Sequence, residues 1–346
     1  MTDQPTDSNN PAPDAPDNIQ DPLQWKNLGA PGAGVQLVAS AGTSTAGGNL
    51  NVLGLDSKGN LWSCRLTGSA WQWTSLGQPA GVPMKSCMGT VDIDGATAVQ
   101  TLDGQGNLWS CWLADNTWQW ASMGHPPTTA RLLRAVGTVA SSGGGTVYVL
   151  DEKSMVWQLT YANGWQWTSL GQPAGGDIGL TPVGACTTSN GPSAFLLDHV
   201  GTLWTCYLNQ GAPTWATLNQ PAGLQAAEAV AATAASGVPT AFALDPKGNL
   251  WSCAQSAAAW QWVNLGQPAG VSLYLALGTF VYGGLYVLLQ DNKGILWFCK
   301  TTTSWRWANV GQSGNGALVL AMGTLSTSNG AYVFGLDAMG NLWSCG

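Results

Sequence analysis

Two kinds of side chain able to do chemistry recur at fixed spacing in this chain: carboxylates and indoles. Seven aspartates (Asp56, Asp103, Asp151, Asp198, Asp245, Asp291 and Asp337) each stand six residues before a tryptophan. Those tryptophans are Trp62, Trp109, Trp157, Trp204, Trp251, Trp297 and Trp343, spaced 46 to 48 residues apart. Such carboxylates could bind calcium or act as general acids. Each stands alone, however, without the second carboxylate of glycoside hydrolysis or the clustered oxygens of a calcium loop. Turn capping is the favoured role, because an aspartate at a turn start accepts from backbone amides two residues on. A glycine three residues later (Gly59, Gly106, Gly201, Gly248, Gly294, Gly340) supplies the positive φ, and Ser154 in the third copy predicts a different turn there. Outside these turns and the N-terminal segment the acids are Asp92, Asp94, Asp115, Glu152, Asp177 and Glu228, with Asp92 and Asp94 the one close pair. The only histidines are His125 and His199. No catalytic set, metal site or cofactor is expected.

The indoles fall into three sets. The Asp-linked set and the second tryptophan of a W-x-W phrase (Trp25, Trp73, Trp120, Trp167, Trp215, Trp262, Trp307) occur in all seven copies, which suits packing common to every repeat. The first tryptophan of that phrase is present as Trp71, Trp118, Trp165, Trp260 and Trp305, with Leu23 and Pro213 in the other two copies. A ring that two repeats dispense with is a candidate for binding as much as for rim packing. Gln72, Gln119, Gln166, Gln261 and Arg306 follow it directly and offer polar partners, as sugars require beside an apolar ring face.

To position these residues, each period must fold as one unit too small to bury its own faces. Each copy reads as four strands: a small-residue strand ending in Gly-Thr, a β-branched or aromatic strand ending at the aspartate, an NLWSC-like strand and a WQWTSLG-like strand. The fold class is therefore all-β, a seven-bladed β-propeller with four antiparallel strands per blade. The chain starts with a lone fourth strand (24–29) and ends with three strands of a blade, so the N-terminal strand should close the last blade and remove the open edges.

Composition narrows the partners. Only 8% of residues are charged, and the net charge is −7. Residues 1–22 hold five of the 18 acidic residues and no Lys or Arg, so the body at 23–346 is near neutral with 13 acidic and 11 basic residues. Nucleic acid is not an expected partner, for lack of a basic stripe. Neither is membrane insertion, since no apolar run approaches the ~20 residues a spanning helix needs. Residues 1–22, rich in Pro and Asp, are expected to be a disordered tail. The polar, acidic start lacks a signal peptide. That predicts a cytoplasmic protein, released or secreted by a non-classical route if it acts outside. Six of the eight cysteines (Cys64, Cys111, Cys206, Cys253, Cys299, Cys345) share one repeat position, a blade spacing apart, and are expected to be buried thiols.

The order W-x-W-x-x-L-G, inner strand, Val/Tyr/Phe-rich strand ending at Asp, G-x-L-W and W-x-W resembles the PLL-like bacterial lectins. It is clear in WQWVNLGQPAGVSLYLALGT (260–279) and LYVLLQDNKGILW (285–297) and extends over residues 24–346. The tectonin-type lectin propellers, with shorter repeats, are the second resemblance. The first implies a multivalent, non-catalytic lectin that binds fucose or O-methylated sugars of glycans in clefts between blades, where the first-tryptophan set and its Gln and Arg neighbours would lie. Self-association is left open. The alternative is a protein-interaction scaffold using one face, marked by irregular features in blades two to four: Trp112, Met123 to Pro127, Arg131, Arg134 and Tyr161.

Overall fold

The computed structural model describes residues 24–45, 49–93, 96–114, 117–141, 144–161, 164–174, 179–256, 259–301, 304–314, 316–327 and 330–346. The expected tail, and with it Leu23, lies outside the described residues, as do Asp94, Asp115 and Asp177. Among the described residues there are seven four-stranded antiparallel sheets and no helix. Blade 1 is Leu37–Ser44, Asn51–Asp56, Leu61–Thr67 and Ala70–Gly77, from the axis outward. Blades 2 to 6 repeat this order. Blade 7 is Leu318–Thr327, Gly330–Asp337 and Leu342–Cys345, completed by Trp25–Gly29. The closing register is Trp25↔Cys345, Lys26↔Ser344 and Asn27↔Trp343, so the expected closure is present.

Alternation within each strand sends one set of side chains to the preceding blade and the other to the following one. The seams between blades therefore hold the core. Val52 and Cys64 of blade 1 pack with Met322, Phe334 and Leu342 of blade 7. Cys111 and Val99 of blade 2 pack with Leu53 and Leu61 of blade 1. The six repeat-position cysteines are buried free thiols. Burial in these apolar seams pushes the Cys64 and Cys111 thiols up to about 12.

Two hydrogen-bond series lock blade to blade. In six blades the second W-x-W tryptophan donates its indole N–H to a backbone carbonyl at the end of the preceding blade's outer strand, and the buried Trp25 indole N–H of blade 7 has no acceptor among the described residues. Trp73 donates to Leu28 at 3.2 Å, Trp120 to Leu76 at 3.1 Å, Trp215 to Leu170 at 2.7 Å and Trp262 to Leu218 at 2.7 Å. Around the axis, the threonine of the Gly-Thr ending donates to its counterpart's carbonyl: Thr324 to Thr279, Thr43 to Thr324, Thr90 to Thr43 and Thr138 to Thr90. This belt runs through blades 6, 7, 1, 2 and 3. Ala185 and Ala232 stand at its position in blades 4 and 5, and have no hydroxyl to continue it.

The third blade's turn differs from expectation. Ser154 adopts φ +59°, and its N–H donates to Asp151 O at 3.1 Å, as the glycine N–H does in the other blades. The same turn forms, with a non-glycine residue forced into the left-handed region. That conformation costs ~1–2 kcal/mol, and glycine returns ~0.4–1 kcal/mol through unfolded-state entropy. Ser154→Gly should therefore stabilise the protein by ~0.5–1 kcal/mol, read as a rise in urea midpoint at unchanged slope.

Candidate functional site: the clefts between blades

Each turn aspartate does more than cap. In blade 1, Asp56 Oδ1 accepts from the backbone N–H of Lys58 (2.9 Å) and of Asn60 (2.8 Å), while Oδ2 accepts the indole N–H of Trp62 (2.9 Å). The indole bond recurs in every blade at 2.8 to 3.0 Å, for Trp109, Trp157, Trp204, Trp251, Trp297 and Trp343. The carboxylate thus fixes the ring at the start of the third strand. Spacing alone could have revealed this: a residue closing a tight hairpin and one six positions on lie side by side across the turn.

Burial is the largest influence on the Asp56, Asp103 and Asp245 carboxyls and acts upward. The hydrogen bonds from the indole, the Asn side chain and two backbone amides together outweigh it and hold all three below the ordinary carboxylate value. For groups depressed in the folded state, the stabilisation is complete above the unfolded-state carboxylate pKa and is lost as pH falls through the folded one. The melting temperature should hold level from pH 7 down to about pH 5 and then fall steadily below about pH 4. Asp56→Asn should flatten that acid limb.

These turns share one end of the propeller with the inter-blade linkers, which hold them by backbone and glutamine contacts. Met84 N–H donates to Gly59 O at 3.2 Å and Ala226 N–H to Gly201 O at 3.0 Å. The linker glutamines Gln220 and Gln312 donate to the turn carbonyls of Gly201 (2.8 Å) and Lys293 (3.0 Å), so they serve as struts. Between turn and linker open grooves with an indole wall. One of about 690 Å³ between blades 1 and 2 is lined by Lys58, Val82, Lys85, Gln105, Asn107 and Trp109. A second, about 410 Å³, lies between blades 4 and 5 against Leu224, Lys247, Asn249, Trp251 and Asn264. A third, about 140 Å³, lies beside Gln36, Lys58, Asn60 and Trp62 at the seam of blades 7 and 1. Trp62, Trp109 and Trp251 are therefore both seam packing and groove wall; with Trp204 and Trp297 they are half-buried, whereas Trp157 and Trp343 are buried.

The first W-x-W tryptophans sit nearer the opposite end of the same seams. All five are half-buried. Trp71 meets Phe334 of blade 7 edge-on at 5.6 Å, Trp260 meets Phe195 at 5.6 Å and Trp305 meets Phe242 at 5.8 Å, each from the preceding blade. Trp165 instead meets Tyr161 of its own blade at 5.2 Å, and Trp118 packs at the seam with Leu53 and Leu61. None of the three grooves above is lined by these five rings. Gln72, Gln119, Gln166, Gln261 and Arg306 are exposed. Because successive side chains alternate, each of them points away from the tryptophan it follows. Gln72 thus shares a seam with Trp118, Gln119 with Trp165, and Gln261 with Trp305. Of the irregular residues of blades two to four, Trp112 and Met123 pack in the seam of blades 2 and 3, Tyr161 meets Trp165 and Arg131 donates to Gly104 O, while Arg134 is exposed.

Among solved structures, the chain is similar to the BP39L lectin from Burkholderia pseudomallei, with 17% identity, a TM-score of 0.54 and 82% of each chain covered. It is similar to YCF48 from Cyanidioschyzon merolae at 12% identity and a TM-score of 0.55, covering 93% of this chain and 98% of that one. A structure of YCF48 bound to D1 peptide matches at 12% identity and a TM-score of 0.57, covering 94% and 97%. At these identities the likeness is one of fold. No family model and no curated protein matches the chain.

Proposed function

We propose that the protein is a multivalent carbohydrate-binding protein that takes monosaccharide units, of fucose or O-methylated type, in the clefts between its blades. The observation that carries this reading is the indole locked by its aspartate beside a groove, built at three of the seams, for Trp62, Trp109 and Trp251. Sugars present apolar C–H faces that stack on such a ring, and a ring already held by a hydrogen bond loses little entropy on binding. A methyl substituent suits the apolar wall, while hydroxyls meet the amides of Gln105, Asn107 and Asn249 and the ammonium groups of Lys58 and Lys247, all groove-lining. The Asp-linked rings Trp62, Trp109 and Trp251 form the primary plates. Trp118, Trp165 and Trp305, joined by Gln72, Gln119 and Gln261 from the preceding blades, form a second set at the far end of such seams, and Trp71 and Trp260 offer a ring there alone; Gln166 and Arg306 face the two seams whose ring position is Pro213 and Leu23. The similarity to the BP39L lectin supports the reading. Repeated sites on one rigid ring gain by avidity on a surface bearing many copies of the sugar.

A glycan array tests this. The wild-type protein should bind fucosylated or O-methylated glycans, with signal rising steeply with glycan density. Trp109→Ala and Trp251→Ala should each lower that signal severalfold, and Trp118→Ala less. No binding above a heat-denatured control, or variants that bind like the wild type, would overturn the proposal.

A further inference from the structure

The seam of blades 4 and 5 holds a second cavity, of about 750 Å³, lined among others by Thr181, His199, Gln225, Ala227 and Glu228. Thr181 and Glu228 open the innermost strands Thr181–Thr188 and Glu228–Ala235, so this cavity lies on the axial side of the groove beside Trp251. Gln225 and Pro246 line both cavities, and the two meet there. At the seam of blades 1 and 2 the equivalent space is undivided: one groove runs from Ser57, Lys58 and Gly59 of the preceding turn to Trp109. The inner compartment owes its room to small side chains. Pairing places Ala226, Ala227 and Ala229 of blade 5 where blade 2 has Met84, Lys85 and Cys87. Both compartments fall within the ~300–1,000 Å³ of ordinary small-molecule clefts.

The titratable residues of the inner compartment are Asp198, His199 and Glu228, with no Lys or Arg. Across both compartments Asp198, Glu228 and Asp245 stand against Lys247. In the groove of blades 1 and 2 the balance is reversed, with Lys58 and Lys85 against Asp103. Asp198 and Asp245 serve the turns, since each accepts from backbone amides and an indole N–H. Glu228 is not demanded by the fold. Its position, paired with the residue before the turn aspartate, is filled in the other blades by Ala39, Ser86, Arg134, Thr181, Leu275 and Leu320. Blade 5 alone puts an acid there. Burial pushes the Glu228 carboxyl above its ordinary value, and a cation beside it would relieve that cost.

We propose that the seam of blades 4 and 5 takes two linked sugar units and that the inner unit is a hexosamine with a free amine. The outer unit stacks on Trp251, as in the carbohydrate reading on which this inference rests. The ammonium group of the inner unit meets the Glu228 carboxylate, and its hydroxyls meet Thr181 and Gln225. A charge-assisted hydrogen bond of this kind is roughly twice as strong as a neutral one. N-acetylation of the amine removes the charge and leaves the carboxylate desolvated without its partner.

The test is binding of the full chain, at about pH 7.5, to an array of glucosamine oligomers in free-amine and N-acetylated form, printed beside the fucosylated and O-methylated glycans. Expected is a signal on the free-amine trimer about tenfold above that on its N-acetylated twin, as loss of one charged hydrogen bond requires. Glu228→Gln should bring that ratio close to one, with a urea midpoint like wild type to show that the variant is folded. Trp251→Ala should lower the free-amine signal severalfold. Glu152→Gln removes an exposed acid of blade 3 and should leave the ratio unchanged, which separates the site from general attraction of cations to an acidic chain. Equal signals on the two forms, a ratio that survives Glu228→Gln, or one that falls as far in Glu152→Gln would overturn the proposal. So would trilysine competing as well as the free-amine trimer, which would assign the compartment to a basic peptide. An amine preference that persists while fucosylated and O-methylated glycans fail to bind would overturn the sugar type proposed above and leave this site standing. The reverse pattern would overturn this site alone.

Discussion

A chain lacking residues 1–29 should lose its cooperative unfolding transition and associate with itself. The strand Trp25–Gly29 is the fourth strand of blade 7, and without it Leu342–Cys345 becomes an open edge with unpaired backbone groups at Trp343, Ser344 and Cys345. Trp25 and Leu28 leave their seams, where Trp25 packs against the cluster that holds Val333 and Trp343, and Leu28 against the one that holds Val52, Cys64 and Leu342. Burial of such side chains contributes ~1.5–3 kcal/mol each. The Leu28 carbonyl also disappears, stranding the indole N–H of Trp73 in blade 1, for a further ~1–3 kcal/mol. The combined loss, ~4–9 kcal/mol, is comparable with the total stability of a typical domain. Sizing chromatography with a urea melt followed by circular dichroism checks this. A monomer with the wild-type midpoint would contradict the account of closure.

Asp151→Ala should destabilise the protein by ~2–4 kcal/mol, far more than an exposed turn substitution. The carboxylate accepts from the backbone N–H of Lys153 (2.8 Å) and Met155 (2.9 Å) and from Trp157 Nε1 (2.9 Å). Trp157 is buried, so its N–H would have no water to turn to. Each buried donor left without an acceptor costs ~1–3 kcal/mol. In the third blade the turn also bears Ser154 in the left-handed region, so the aspartate holds it against strain. Asp151→Asn keeps an acceptor and should lose about half as much. A urea midpoint within error of wild type for the alanine variant would show that the carboxylate is only a surface cap.

Much of this architecture was legible because its signals are periodic. The aspartate and the two invariant tryptophans each recur once per blade and the turn glycine in six of the seven, and the lone strand at one end fits the three-stranded blade at the other. The turn role of the aspartates was legible for the same reason. Its second half, the bond to the indole, was not read, although the constant six-residue offset carries it. The grooves were harder. Trp62 and Trp71 have similar neighbours in sequence, and only the turn and linker geometry places the first beside open space. Gln72 adjoins Trp71 in sequence yet faces the next seam, a consequence of strand alternation that a linear reading passes over. The outward turn of Val38, Tyr274 and Val319 was hidden for a different reason. Leu-Val-Ala, Leu-Tyr-Leu and Leu-Val-Leu read as continuous buried strand, and only the one-residue slip turns the middle side chain outward.

The central claim is that saccharides are held between blades against tryptophan rings. It is tested most directly by diffraction from crystals soaked in methyl-α-L-fucoside and, separately, in an O-methylated monosaccharide. The account predicts sugar density stacked on the Asp-linked indoles Trp62, Trp109 or Trp251, within the grooves bounded by linker and turn. Sugar density confined to the axial opening, or seams that stay empty of sugar at saturating concentration, would contradict it.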